Sequence, residues 1–182
     1  MKRRSFLESA AALPLAGALR AAAAPSFDSR VVRLNLQHTW TTTMSSSAYR
    51  DTLHTSYSRD GITGHGEGAP IVRYKEDAES ARKAAESVRD FLLAADAMQF
   101  SKVMAQVFRR VDGEWAGKAA IDIALMDWVG QKLGIPLYTY FGLDPKDTPL
   151  TTFSIGIEIH FLVTLPRKLK RLRARDASLA RH

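Results

Sequence analysis

Four stretches of this sequence carry residue types that can do chemistry. His65-Gly66-Glu67 sets an imidazole and a carboxylate two positions apart, so an extended chain presents both on one face. The pair suits a metal, but two ligands are too few for a closed site, and no metal is assigned there. Asp122 and Asp127 are two carboxylates within one helical stretch. Five positions apart, they do not share a helix face, which argues against a paired acid–base catalyst. They are read as groups that cap, pair with cations or contact a linker. Lys168-Leu169-Lys170 sets two amines side by side, inside a basic run over 167–175, and reads as part of a solvated charged stretch. Thr41-Thr42-Thr43-Met44-Ser45 is a hydroxyl-rich run with no periodicity, read as part of a polar loop over 40–47. There is no cysteine, which excludes thiolate chemistry and disulfides.

The elements that must position these residues are legible from their periodicity. Residues 31–38 alternate, with Val32, Leu34 and Leu36 predicted on the buried face of a strand. Alternation returns over 49–58, with Leu53, Thr55 and Tyr57 on one face. Arg59-Asp60-Gly61 is a turn signal, and 62–67 forms a third short strand, completing an antiparallel meander. Glu76, Asp77 and Glu79 load the first turn of a helix running to Asp96, with Ala81, Ala84, Ala85, Val88, Phe91 and Leu92 at helical spacing. A second helix carries Phe100, Val103, Met104, Val107 and Phe108. A third spans Trp115–Leu133 with Ile121, Ala124, Leu125 and Trp128 as its apolar stripe, ended by Gly134 and Pro136. Residues 137–142 form a short apolar connector, and 150–157 read as one more strand. The predicted fold class is α+β: a three-stranded antiparallel meander followed by a three-helix bundle.

Charge is concentrated at the two ends. The net charge is +7, yet residues 1–24 hold +3 and residues 158–182 hold +5, leaving −1 for the stretch between them. With no basic surplus on the folded part, nucleic acid is not an expected partner. Lys2-Arg3-Arg4-Ser5-Phe6-Leu7, an apolar stretch over 10–19 and a small-residue run over 21–24 read as a twin-arginine-type signal cleaved within 22–24. Its apolar part is too short to span a membrane. The expected location is the periplasm or the exterior.

Three motifs in order resemble a known family. They are Gly64-His65-Gly66-Glu67-Gly68-Ala69-Pro70 with Arg73-Tyr74, then Lys118-Ala119-Ala120-Ile121-Asp122-Ile123-Ala124-Leu125-Met126-Asp127-Trp128, then Gly134-Ile135-Pro136-Leu137-Tyr138. Together they resemble the N-terminal capping domain of the enolase superfamily, in its mandelate racemase/muconate lactonizing branch. His38-Thr39-Trp40-Thr41-Thr42-Thr43, the Arg73-Tyr74 pair and 151–157 are similar to dipeptide epimerases of the L-Ala-D/L-Glu epimerase type.

That resemblance implies a cap over a (β/α)-barrel in which two lysines exchange the proton α to a carbonyl of a dipeptide such as L-Ala-L-Glu. A Mg²⁺ held by three carboxylates stabilises the resulting anion. It implies substrate contact by Thr41, Thr42, Thr43, Met44 and Ser45 in a mobile specificity loop, and by Ser154 on the first barrel strand. Relatives often carry a basic residue near Met44, and methionine there argues against a preference for an acidic dipeptide end.

The organisation expected is a signal over 1–24, a cap over 25–143, a linker and first barrel strand over 144–157, and a basic tail over 158–182. Lys168-Leu169-Lys170 has the literal spacing of the family's Lys-x-Lys motif but follows Ser154 too closely for an intervening crossover helix. The family pattern stops at Ile157, so the expectation is a truncated chain that lacks the catalytic barrel, binds no Mg²⁺ and is inactive alone. Two alternatives stay open. One is a non-enzymatic module binding an anionic partner through the basic tail. The other is a capping fragment complemented by a separate barrel chain, or assembled as a homo-oligomer.

Overall fold

Asp60 and Gly61 both have positive φ, at 55° and 76°, and reverse the chain in two residues. Such a turn matches the right-handed twist of the strands it joins. It links β2 (Ser46–Arg59) to β3 (Ile62–Gly68), and β2 pairs on its other side with β1 (Ser26–Thr41). The order β1-β2-β3 is antiparallel throughout, as the sequence predicts. This computed structural model describes residues 24–43 and 45–151.

One face of the sheet packs on helices. Register places Phe27 opposite Tyr57, Ser29 opposite Thr55 and Val31 opposite Leu53. Leu53, Thr55 and Tyr57 are buried as expected. The expected buried face of β1 is reversed. Up to the break in register after Asn35, its odd-numbered residues share the inner face with Leu53, Thr55 and Tyr57, while Val32 and Leu34 lie on the opposite face; Val31 and Leu34 are each 39% exposed, and Leu36 falls within the break. Alternation identified the strand but not its inner side, because Val31 and Val32 are both apolar and only Phe27, upstream of the predicted start, breaks the tie.

The helices are α1 (Ala78–Ser87), α2 (Arg89–Ala94), α3 (Phe100–Arg110), α4 (Trp115–Leu133) and α5 (Leu137–Tyr140). The helix predicted to run unbroken to Asp96 divides at Val88, whose φ of −107° and ψ of 6° leave the helical region. Ser87 Oγ donates to the carbonyl of Ala84, 2.7 Å away, a back-bond that bends helices. The first-turn assignment also changes. Asp77 is the N-cap, with its carboxylate accepting from Ser80 N and Ser80 Oγ accepting from Asp77 N. Glu76 lies before the helix and caps a different one.

α4 is the central element, with buried residues nearly all round, including Ile121, Ala124, Leu125 and Trp128. Its predicted bounds hold, with Gly134 in the left-handed C′ conformation at φ 68°. α4 lies directly on β3, and no side chain separates them there. A Cβ on Gly64, Gly66 or Gly68 would lie 2.1, 2.0 or 2.0 Å from the carbonyl oxygens of Ala124, Ala120 and Ala116 respectively. Three glycines at strand spacing thus meet three alanines at helix spacing. Thr55 Oγ1 crosses this seam to donate to Ala120 O at 2.9 Å.

α4 also closes the outer edge of β3. Asp127 accepts the His65 backbone N–H at 2.8 Å, and Gln131 Nε2 donates to Thr63 O at 2.9 Å. The Asp127 carboxylate, read from the sequence as a capping or pairing group, covers an open strand edge. Asp122 sits on the exposed side of α4, where partial burial raises its pKa above the ordinary value. Of the stretch expected as linker and first barrel strand, 144–151 is described. It holds a 3₁₀ turn at Pro145–Asp147 with Asp144 as its cap.

Candidate functional site

β3 ends at Gly68, opposite Leu53, whereas β1 and β2 continue together past that point. The hairpin therefore overhangs the sheet. Its projecting part is held by Arg33 and Asp51, opposite each other in register, through two 2.7 Å hydrogen bonds. The Arg33 guanidinium also stacks 3.9 Å from the centre of the Tyr49 ring. The hydrogen bond from Arg33 lowers the pKa of Asp51 below its ordinary value, and Asp51 raises that of Arg33 in turn.

Register breaks between Asn35 and Trp40, so the end of the hairpin is offset from its base. Pairing resumes with Trp40 opposite Ser47 and Thr41 opposite Ser46. The expected 40–47 loop is thereby shortened to 42–45. Thr41 Oγ1 and Ser46 Oγ lie 2.9 Å apart. Thr42 N donates to Ser45 O at 2.8 Å, and Ser45 N donates back to Thr42 Oγ1 at 3.2 Å.

Facing the overhang is the segment that follows β3. Between them lies an open cleft of about 960 Å³, lined from the hairpin by Val31, Thr42, Ser45, Ser47, Tyr49, Arg50 and Asp51. The opposite wall comprises Pro70, Ile71, Val72, Arg73 and 76–79. A 3₁₀ turn at Val72–Tyr74 pushes apolar side chains outward, with Val72 87% exposed.

Of the residues expected at a site, Thr42 and Ser45 line the cleft. Thr41 is engaged in the strand pair beside it, and Thr43 is exposed at the bend. Met44 and Ser154 lie outside the described residues. The sequence reading missed Tyr49, Arg50, Asp51, Ile71, Val72 and Glu79. The signal available was the apolar pair after Pro70, which sits in a polar surrounding with no periodicity to bury it.

The cleft walls carry the hydroxyls of Thr42, Ser45, Ser47 and Tyr49, two arginines, four carboxylates and an apolar patch at 70–72. Of the cleft's four carboxylates, Glu76 and Asp77 accept backbone N–H groups, whereas Asp51 and Glu79 are committed to arginines, Glu79 to Arg82 at 2.6 and 3.0 Å. Those hydrogen bonds lower both pKa values, so the groups stay ionised and are weak bases. Among the described residues no three of His, Asp or Glu converge as a metal site needs. His65 and Glu67 share the outer sheet face, where His54 Nε2 lies 3.9 Å from a Glu67 carboxylate oxygen.

Residues 30–142 match the family described as Mandelate racemase / muconate lactonizing enzyme, N-terminal domain. The chain belongs to that family. Among curated relatives of this capping domain, an L-Ala-D/L-Glu epimerase of Bacteroides thetaiotaomicron is 34% identical over 125 residues, covering 69% of this chain and 32% of the relative. An L-Ala-D/L-amino acid epimerase of Pedosphaera parvula is 35% identical over 135 residues, covering 69% and 37%. The chain thus spans about a third of the length of the curated relatives it matches. Among solved structures, a dipeptide epimerase from Methylococcus capsulatus, complexed with Mg and the dipeptide L-Arg-D-Lys, superposes with a TM-score of 0.73 at 25% identity, covering 81% of this chain and 42% of that one. The cap fold is that of these enzymes. Among the described residues no helix is long and apolar enough to cross a membrane.

Proposed function

We propose that residues 26–143 act as the substrate-covering cap of a dipeptide-epimerase-type isomerase, and that the cleft between the overhanging hairpin and the 69–79 segment selects the dipeptide. The observation that carries this reading is the overhang itself. A folded sheet gains little by extending two strands past their third partner unless the extension covers something. In this reading the α-proton chemistry, its lysines and its Mg²⁺ belong to a barrel domain, and residues 26–143 supply selection and exclusion of water. The purified chain is accordingly expected to show no epimerisation of L-Ala-L-Glu, with or without Mg²⁺.

The test is a chimera in which these residues replace the matching segment of the Pedosphaera parvula relative. We expect a folded, active enzyme whose kcat/KM ranking across a dipeptide panel changes, with less preference for acidic second residues. An active chimera with the parent's ranking unchanged would count against selection by the cleft. Turnover by the chain alone would overturn the division of labour.

The reading extends to location. The Arg3-Arg4 pair supports export of the folded protein, expected to be blocked by changing Arg3 and Arg4 together to lysine and observed by cell fractionation.

A further inference from the structure

The 69–75 segment begins and ends on one residue of α4. At its start, Gly68 lies against Ala116, close enough that a Cβ would meet the Ala116 carbonyl at 2.0 Å. At its end, Glu76 Oε2 accepts the Ala116 N–H at 3.2 Å while Oε1 accepts the Trp115 N–H at 2.8 Å. Glu76 is 5% exposed, although its neighbours Lys75 and Asp77 are exposed. α4 has no cap of its own, because Glu114 at its N-cap position is left-handed and makes no side-chain capping bond. The first free amides of the helix are satisfied instead by a carboxylate arriving from the cleft wall. Glu114 is turned to Ser80 Oγ at 3.0 Å, a second tie between the starts of α1 and α4.

We infer that Glu76 is the positioning residue of the cleft: by docking on the first turn of α4 it closes 69–75 into a loop of fixed placement, so that Ile71, Val72 and Arg73 are presented at a set distance from the hairpin. This deepens the proposed selecting role of the cleft and rests on it for its meaning, but not for its test. The loop has internal hydrogen bonds, Tyr74 N to Ile71 O and Lys75 N to Val72 O, both 2.9 Å, which report its integrity directly. Both ends being pinned to one helical turn, the presented side chains can change without moving the frame.

Hydrogen–deuterium exchange of the full chain, read by residue, tests this without any ligand. With Glu76→Ala, exchange at 74–75 and at 115–116 should rise at least tenfold more than exchange at 53–57 in β2. Glu76→Gln keeps the shape and one acceptor, and should restore protection at 115 while leaving 116 fast. Equal acceleration in loop and β2 would reduce Glu76 to an ordinary stabilising residue and overturn the inference, as would an unchanged loop. If Glu76→Ala does not fold, the Glu76→Gln contrast between 115 and 116 decides alone, and equal behaviour of those two amides rejects the assignment. None of these outcomes depends on epimerase activity, so failure here is distinguishable from failure of the proposed function.

Discussion

Tyr57 meets Trp128 edge to face, with ring centres 5.9 Å apart and planes 87° to one another. The contact joins β2 to α4, and Trp128 Nε1 extends it by donating to Arg59 O at 3.0 Å. Both rings are almost wholly buried. The geometry is the favoured one for aromatic pairs, with the positive edge of one ring toward the negative face of the other.

The same burial leaves the Tyr57 hydroxyl without a hydrogen-bond partner and raises its pKa. Tyr57→Phe keeps the ring contact and removes the unsatisfied group. It should stabilise the protein by about 1 kcal/mol. Urea denaturation with an unchanged slope measures this, and a loss of stability would mean that the hydroxyl is solvated.

Gly66 should be among the least replaceable positions. A methyl group would sit 2.0 Å from the Ala120 carbonyl and 2.9 Å from Thr55 Oγ1, so sheet and helix must separate. Gly66→Ala is expected to cost about 3 kcal/mol. Gly61, which needs its positive φ but has open space around it, should lose less on the same change. Thermal unfolding of the two variants side by side provides the comparison.

Asp127→Ala removes the acceptor that covers His65 N–H. A stability loss of about 1 kcal/mol is expected. The more specific outcome is self-association, since an uncovered strand edge pairs with others. Light scattering against concentration should show it in the variant and not in the parent.

Two carboxylates predict opposite responses to acid. The pKa of Asp122 is raised by burial, so the folded state holds its proton more tightly than the unfolded one, and the charged form weakens the fold at neutral pH. Asp122→Asn should therefore stabilise at pH 7. The gain should shrink as pH falls through the raised value, and vanish below the ordinary aspartate pKa of about 4.

The pKa of Asp51 is lowered by Arg33, so its contribution is present above about pH 4 and is lost as pH falls through the lowered value. The pair is exposed and its effect is local. Amides at 33–35 and 49–51 should lose protection in that range in the parent. Asp51→Asn should remove the pH dependence.

Where the sequence was legible, the signals were local and redundant. α4 is bracketed by Gly113 and Gly134, and Asp60-Gly61 permits little besides a tight reversal. Thr55 was placed correctly on the inner face because Leu53 and Tyr57 flank it. The inner side of β1 was not legible, since the deciding residue, Phe27, pairs with Tyr57 outside the window that alternates. From sequence Glu76 reads as a helix-dipole acid, because its partner amides at 115 and 116 are remote in sequence and close only after folding. The cleft had the same difficulty. Its hydroxyls were identifiable as a polar run, but its opposite wall became visible only once β3 was seen to stop at Gly68.

That stopping point coincides with the end of the seam of glycines, where Gly68 meets Ala116. Two residues of strand advance about 6.7 Å, whereas four residues of helix advance about 6.0 Å. Gly64, Gly66 and Gly68 stay in step with Ala124, Ala120 and Ala116 for two intervals, and a further interval would accumulate an offset of about 2 Å. α4 begins at Trp115, so past Gly68 there is no further helical turn for the strand to lie on. The neighbours of β3, paired with each other, run on. The free length of the hairpin is thus whatever β1 and β2 span beyond the first turn of α4.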